Sequence, residues 1–417
     1  MKRKSLSIIV QIIIILLSIT SIVLINIYKD LSYLFIAILI INLFLAIKFN
    51  KISGKTLQTI SCIIIGIVFI YSGFVKAVDP WGSMFKFQDY FEAFHMDFFN
   101  PIALYLGIML SAFEFLLGVS LLFKINIRLS SFFVMLFMVF FTILTFYLAL
   151  ANPVADCGCF GDAIILTNWQ TFYKNIILMV FTMLAFLNRN IIKSFINLIF
   201  RKVIIIIGLI AVFSVSIYAL YHLPIIDFRE WKVGNSMVSN ASETLVYLTY
   251  QNKKTGEEAE MLSNELPWQD TVWMANWKYK EQRYEEIGEV DGSELKMTDE
   301  YGDDAKIHEH GYQFIVVSYY LEKTNETAFD KINKLNEIAE AEDISFIGVS
   351  GSVPDFINSF RQKNNILFPV HNADEIALKT IIRSNPGLLL LKDGVIIEKW
   401  AHRDIPNFEE IKLNYFD

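Results

Sequence analysis

Cys157-Gly158-Cys159, followed directly by Phe160-Gly161-Asp162, places two thiols one glycine apart in a chain with only three cysteines. Residues two apart in a turn can bring their Cα atoms into the roughly 4.4–6.8 Å window a disulfide needs, and glycine between them supplies the backbone freedom. A ring that small is strained, and strained disulfides are the reducible, catalytic kind. The pair therefore points to dithiol–disulfide redox chemistry. Two blander readings stand beside it, a structural turn and a metal site. For a metal, two thiolates need two more ligands, and only His95, Asp156 and Asp162 offer donors. Asp156 and Asp162 would also raise a thiol pKa, since negative charge disfavours the thiolate. Lys76, expected at the same surface, would offset them if the helices bring it close.

The loop must be held by the long apolar runs around it. The chain is 54% hydrophobic, and a bilayer core is spanned by roughly 20 helical residues. Seven runs qualify, at about 6–27, 31–48, 58–77, 101–122, 129–150, 170–187 and 203–222. Lys2, Arg3, Lys4, Lys48, Lys51, Lys55, Lys124, Arg128, Arg189, Lys193, Arg201 and Lys202 then share one side, which the positive-inside rule makes cytoplasmic. The opposite loops hold only Lys29, Lys76, Lys86 and Lys174, with the acidic residues, and Trp81, Trp169 and Trp231 lie at those outer ends. The first run lacks a small-residue cleavage site and is long for a signal peptide, so it reads as a span. The cysteine pair then faces outward, where disulfides persist.

Glu114 is the one carboxylate placed inside a span. An ionised group there costs at least ~2.5–3.5 kcal/mol on insertion scales, so it should face the bundle interior. It reads either as a proton-carrying or quinone-facing group, or as a neutral side chain hydrogen-bonded between helices. Residues 81–99 interleave Trp81, Phe85, Phe91 and Phe94 with Lys86, Asp89, Glu92 and His95, which predicts an amphipathic helix on the outer interface, a lid over the bundle.

Charge divides the chain. Residues 1–224 carry 16 Lys/Arg against 8 Asp/Glu, whereas 225–417 carry 20 against 35. The second part reads as a solvated acidic domain without cysteine, and its charge excludes phosphate-backbone binding and hence nucleic acid. Thr244–Tyr250 alternates as a strand. From 311 the spacing predicts strands at Phe314–Tyr319, Ser345–Val349, Leu367–Val370, Leu388–Leu391 and Val395–Trp400, with helices over 326–342, 353–363 and 374–383, the alternation of an α/β sheet. His308-Glu309-His310, without other clustered ligands, reads as solvated loop.

Phe69-Ile70-Tyr71-Ser72-Gly73-Phe74-Val75-Lys76 with Asp79-Pro80, then Glu114 and Gly118, then Cys157-Gly158-Cys159-Phe160-Gly161, resembles the DoxX/MauE family of redox-associated membrane proteins over about 58–188. The resemblance implies a four-helix membrane bundle engaged in electron or disulfide transfer, with quinone as an acceptor. It carries Cys157, Cys159, Lys76 and Glu114 over as site residues. Ser384-Asn385-Pro386-Gly387 and the strands after it resemble the end of a thioredoxin-like fold, which implies a cis Pro386; yet Leu321-Glu322-Lys323-Thr324-Asn325 stands where that fold carries CxxC.

The expectation is a polytopic α-helical membrane protein followed by a soluble α/β thioredoxin-like domain. Its parts are a hairpin at 1–57, the four-helix bundle at 58–188, a loop and last span at 189–224, a subdomain at 225–310 and the cysteine-free domain at 311–417. It would sit in a bacterial inner membrane with the C-terminal domain outside. Its function would be transfer of reducing equivalents between outer thiols or disulfides and quinone, without a resident cofactor or metal. Its partners would be lipid and extracytoplasmic redox or assembly proteins. The alternative is a non-catalytic anchor or assembly factor whose outer domain binds a partner.

Overall fold

The computed structural model describes residues 53–417 apart from 192–193, 195, 239–242, 254, 263–270, 288–294, 300 and 417. The spans expected over 6–27 and 31–48 lie outside the described residues. The chain divides into two compact units, 1–228 and 229–417.

The first unit is helical: α1 (Gly54–Val78), α2 (Pro80–Ala93), α3 (Ala103–Leu122), α4 (Ile127–Ala151), α5 (Asn168–Leu187) and α6 (Leu198–Tyr221). Among the described residues five helices are long and apolar enough to cross a membrane, α2 being the short amphipathic exception. Starts are written in the sequence: Ser53 caps α1, Asn197 caps α6, and Thr167 with Gln170 forms a capping box on α5. Outward faces of α4 and α6 stay apolar and uncovered, with Phe140 60% and Ile207 60% exposed, as lipid requires. The protein is a multi-pass membrane protein.

α1 and α3 touch backbone to backbone because glycines face each other. A Cβ at Gly73 would lie 2.5 Å from Phe115 N and 2.6 Å from Ser111 O, and one at Gly118 would lie 2.6 Å from Gly66 O. Helix propensity alone says Gly73→Ala stabilises, by up to about 1 kcal/mol. The close backbone predicts the reverse sign, a loss of about 1–3 kcal/mol in detergent unfolding.

The helix expected over 81–99 stops at Ala93. His95 takes a left-handed φ of 56°, Met96 N donates back to Phe91 O, and a 3-10 turn follows over Asp97–Ile102. Its start is fixed by Pro80 at the first turn and by the Asp79 side chain, which accepts from Gly82 N.

The second unit holds a three-stranded antiparallel sheet, order β2-β1-β3, from β1 (Glu243–Asn252), β2 (Glu258–Leu262) and β3 (Trp277–Ile287) after α7 (Thr271–Asn276). A seven-stranded sheet follows in the order β10-β9-β6-β7-β8-β4-β5. Its strands are β4 (Met297–Thr298), β5 (Asp304–Ala305), β6 (Tyr312–Ser318), β7 (Ser345–Ser350), β8 (Val370–Ala373), β9 (Gly387–Lys392) and β10 (Val395–Ala401). The helices between and after them are α8 (Phe329–Ala341), α9 (Pro354–Lys363), α10 (Glu375–Ile381) and α11 (Phe408–Tyr415). β6, β7 and β8 run parallel, and β9 joins β6 antiparallel from the other side. Phe314 and Val316 enter one core with α8, α9 and α11; Ile315 and Val317 are buried on the opposite face. With the cis Asn385–Pro386 bond ahead of β9, this is a thioredoxin-like arrangement. The strand expected at Leu367–Val370 begins instead at Val370, since Pro369 has no N–H to give a ladder and only its carbonyl is used, by Gly348 N. His308, Glu309 and His310 are all exposed.

Candidate redox site

The loop around the cysteine pair is held by side chains from the helices and from the loop itself. Asn168, at the start of α5, donates to Val154 O at 2.8 Å. Asp156 takes Lys86 of α2 at 2.7 Å and accepts Gly158 N at 2.8 Å. Tyr90, one turn further along α2, donates to Cys157 O at 3.0 Å. Gly158 and Gly161 have φ of 65° and 51°, so the tight loop needs glycine at both. At Gly158 the Lys86 stem also lies 3.0 Å from where a Cβ would sit. The result brings the two sulfur atoms to 2.8 Å, both free thiols.

Beneath the loop lies a buried polar knot. Lys76 Nζ donates to Glu114 Oε2 at 2.7 Å, to Ser72 Oγ at 2.8 Å and to Cys159 O at 2.7 Å. Three acceptors use all three ammonium protons. Ser72 Oγ in turn lies 2.7 Å from both Glu114 Oε2 and Cys159 O. Lys76 and Glu114 are 8% and 4% exposed, so the pair is a desolvated one. It binds α1 to α3 and fixes the carbonyl of Cys159. Sequence reasoning gave Lys76 to the thiolate; the geometry engages its protons on that carbonyl, with its charge acting on the sulfur from there.

The two thiols are inequivalent. Cys157 is pushed well above the ordinary thiol range, by its hydrogen bond with Cys159, by burial and by the charge of Cys159. Cys159 is lowered to about 6, first by the hydrogen bond from Cys157, against burial, and then by the charges of Lys174 and Lys76, with Glu114 opposing. The thiolate belongs on Cys159. Asp156, which from sequence counted against a thiolate, is paired with Lys86 instead.

A cavity of about 270 Å³ opens beside the sulfurs, lined by Phe87, Phe94, Phe137 and Phe141 together with Ser72, Lys76, Glu114 and Lys174. The structure thus gathers Cys157, Cys159, Lys76 and Glu114 in one place. It adds Ser72, Lys86, Tyr90 and Lys174, which sequence reasoning left out. Lys174 had a signal, a lysine inside an apolar run; Lys86 and Tyr90 had none, because their role depends on how α2 folds over the loop. Cys62 lies 14 residues before Lys76 on α1, about 20 Å away along the helix, and packs in a separate core. Among the described residues no group of three or more His, Cys, Asp or Glu is placed to hold a metal.

Residues 54–188 match the family described as Methylamine utilisation protein MauE. The match covers the bundle and the cysteine loop. No curated protein matches the chain. Solved structures similar to part of it include a peroxiredoxin-like protein from Aquifex aeolicus, at 14% identity, covering 28% of this chain and 78% of that one with a TM-score of 0.23. A thiol-disulfide oxidoreductase from Bacteroides fragilis NCTC 9343 has 12% identity, covering 27% and 88% with a TM-score of 0.23. StoA from Bacillus subtilis has 13% identity, covering 28% and 93% with a TM-score of 0.23. The fold of the second unit rests on its strand order, not on these values.

Proposed function

We propose that this MauE-matching membrane protein is a thiol–disulfide oxidoreductase of a bacterial inner membrane, moving electrons between extracytoplasmic thiols and membrane quinone through Cys157 and Cys159. The observation that carries the reading is the pair of free thiols, 2.8 Å apart, beside an aromatic cavity inside a membrane bundle. Quinone is a substrate in this reaction; it accepts two electrons and two protons. The aromatic walls and the buried polar groups of Lys174 and Glu114 suit a flat apolar ring bearing oxygens.

The residues divide the work. Cys159, the thiol that ionises near neutral pH, is the sulfur that exchanges with a partner thiol, which reduces the pair, and it rejoins Cys157 when quinone takes the two electrons. Cys157, buried under Tyr90, is the resolving thiol. Lys76, Ser72 and Glu114 hold the Cys159 carbonyl and offer a chain of exchangeable protons beside it. The outer thioredoxin-like domain has no cysteine of its own, so in this reading it binds or positions the partner protein.

That missing dithiol also favours the second reading, an anchor or assembly factor without catalysis. The two separate in nanodiscs loaded with a short-chain ubiquinone analogue. Quinone added to the reduced protein should protect both thiols from maleimide, with one quinol formed per pair oxidised. A pair that stays fully alkylatable beside oxidised quinone ends the oxidoreductase reading.

A further inference from the structure

Three lysines surround the cysteine pair, and two of them are spoken for. Lys76 gives its protons to Glu114, Ser72 and Cys159 O, and Lys86 pairs with Asp156 at 2.7 Å, with Asp162 also acting on it. Lys174 is different. It projects from α5, is only 9% exposed, and makes no ion pair or hydrogen bond with another described residue. Its Nζ stands 4.4 Å from the centroid of the Phe160 ring, and the side chain lines the cavity beside both sulfurs. A cation–π contact is worth about 0.5–2 kcal/mol, well short of what an isolated buried ammonium costs. The cavity is the side on which this ammonium is open to a compensating anion.

We propose that Lys174 is the anion-holding group of the pocket, facing the Cys159 thiolate in the reduced protein and, during oxidation, the acceptor oxygen that receives the electron pair. This rests on the oxidoreductase reading above and narrows its substrate to acceptors with a ring carbonyl, which quinones carry. The step balances. The two sulfurs form one S–S bond and two electrons pass to the quinone; the Cys157 thiol supplies one proton and water the other, so that both quinone oxygens end protonated as hydroquinone. Formation of the disulfide removes the thiolate charge that faced Lys174, and the acceptor oxygen takes over that place. Acceptors without such an oxygen leave the ammonium uncompensated and are disfavoured.

The test uses the full-length protein in nanodiscs. One measurement is the pH profile of iodoacetamide alkylation of the reduced protein. The other is KM and kcat for the ubiquinone analogue with dithiothreitol as donor. The titratable groups around the pair and its cavity are Lys76 from α1, Asp79 at the α1–α2 junction, Lys86 and Tyr90 from α2, Glu114 from α3, Asp156 and Asp162 from the loop, and Lys174 from α5. Only the last is changed. Lys174→Met should move the alkylation midpoint of Cys159 up by about one pH unit and raise the quinone KM roughly tenfold, the equivalent of one lost charge-assisted contact. Lys174→Arg should keep both close to wild type, and Lys174→Gln, neutral but polar, should behave as the methionine variant even if that one folds poorly. A folded neutral variant with the wild-type midpoint and KM overturns the role of Lys174 and leaves the oxidoreductase reading standing. Wild-type protein that quinone does not oxidise overturns both.

Discussion

At pH 7 the reduced Cys157→Ser variant, which keeps Cys159, should be alkylated about 10–100 times faster than the Cys159→Ser variant, which keeps Cys157. Neither should oxidise with quinone. The asymmetry follows from where the charges lie. In Cys157→Ser, Cys159 keeps Lys174 and Lys76 nearby, and the serine at 157 can still donate a hydrogen bond to its sulfur. Its pKa climbs from about 6 but stays below that of an ordinary thiol. Cys157 alone loses the raising effect of a neighbouring thiolate, yet burial, the second cause of its elevation, remains. Tyr90 and Lys174 pull Cys157 the other way, toward the thiolate, so the asymmetry rests on that burial and on Lys76, which acts on Cys159. For Cys159 the sign with pH is simple: reactivity rises as pH climbs through the folded pKa and levels off above it, because only the thiolate attacks. Mass-resolved alkylation on each single-cysteine protein reads the outcome. Equal rates, or the reverse order, would remove the assignment of the attacking sulfur.

How far the sequence alone reaches depends on which residue is asked. The described spans were legible because apolar runs of the required length are a direct physical signature, and α1, α3, α4, α5 and α6 begin and end within a few residues of the expected limits. The thioredoxin-like sheet was legible from alternating strands and helices and from the Asn385-Pro386-Gly387 turn. Boundaries went astray where a single backbone group decided them, as at His95 and Pro369. Within the site, the cysteines, Lys76 and Glu114 stood out as charges or thiols in apolar surroundings. What their charges do did not stand out. Lys76 reads from sequence as a thiolate's neighbour, but three acceptors converge on it only when α1 and α3 meet at Gly73 and Gly118. Lys174 stood inside an apolar run, but a linear chain does not reveal which cations are left without a carboxylate.

The same knot yields the second large effect. Glu114→Ala removes the carboxylate and leaves the Lys76 ammonium buried against Ser72 and a carbonyl, a break that costs about 3–5 kcal/mol where a desolvated pair loses one member. The thermal transition in detergent should fall markedly, and the cysteine loop, held at Cys159 O by Lys76 and Ser72, should become open to alkylation at both sulfurs. Stability and activity should then part company in the double variant Lys76→Met/Glu114→Leu. Replacing a buried ion pair with packed apolar groups is often neutral or stabilising, so its melting should return close to wild type. The carbonyl of Cys159 keeps only the Ser72 hydroxyl, and one of two cations that stabilise the thiolate is gone. Oxidation of the pair by quinone should remain at least tenfold slower than wild type. A double variant that recovers both properties would reduce the knot to a structural tie between α1 and α3. Recovery of folding without recovery of oxidation would mean that the buried pair is retained for the loop it holds, rather than for the stability it provides.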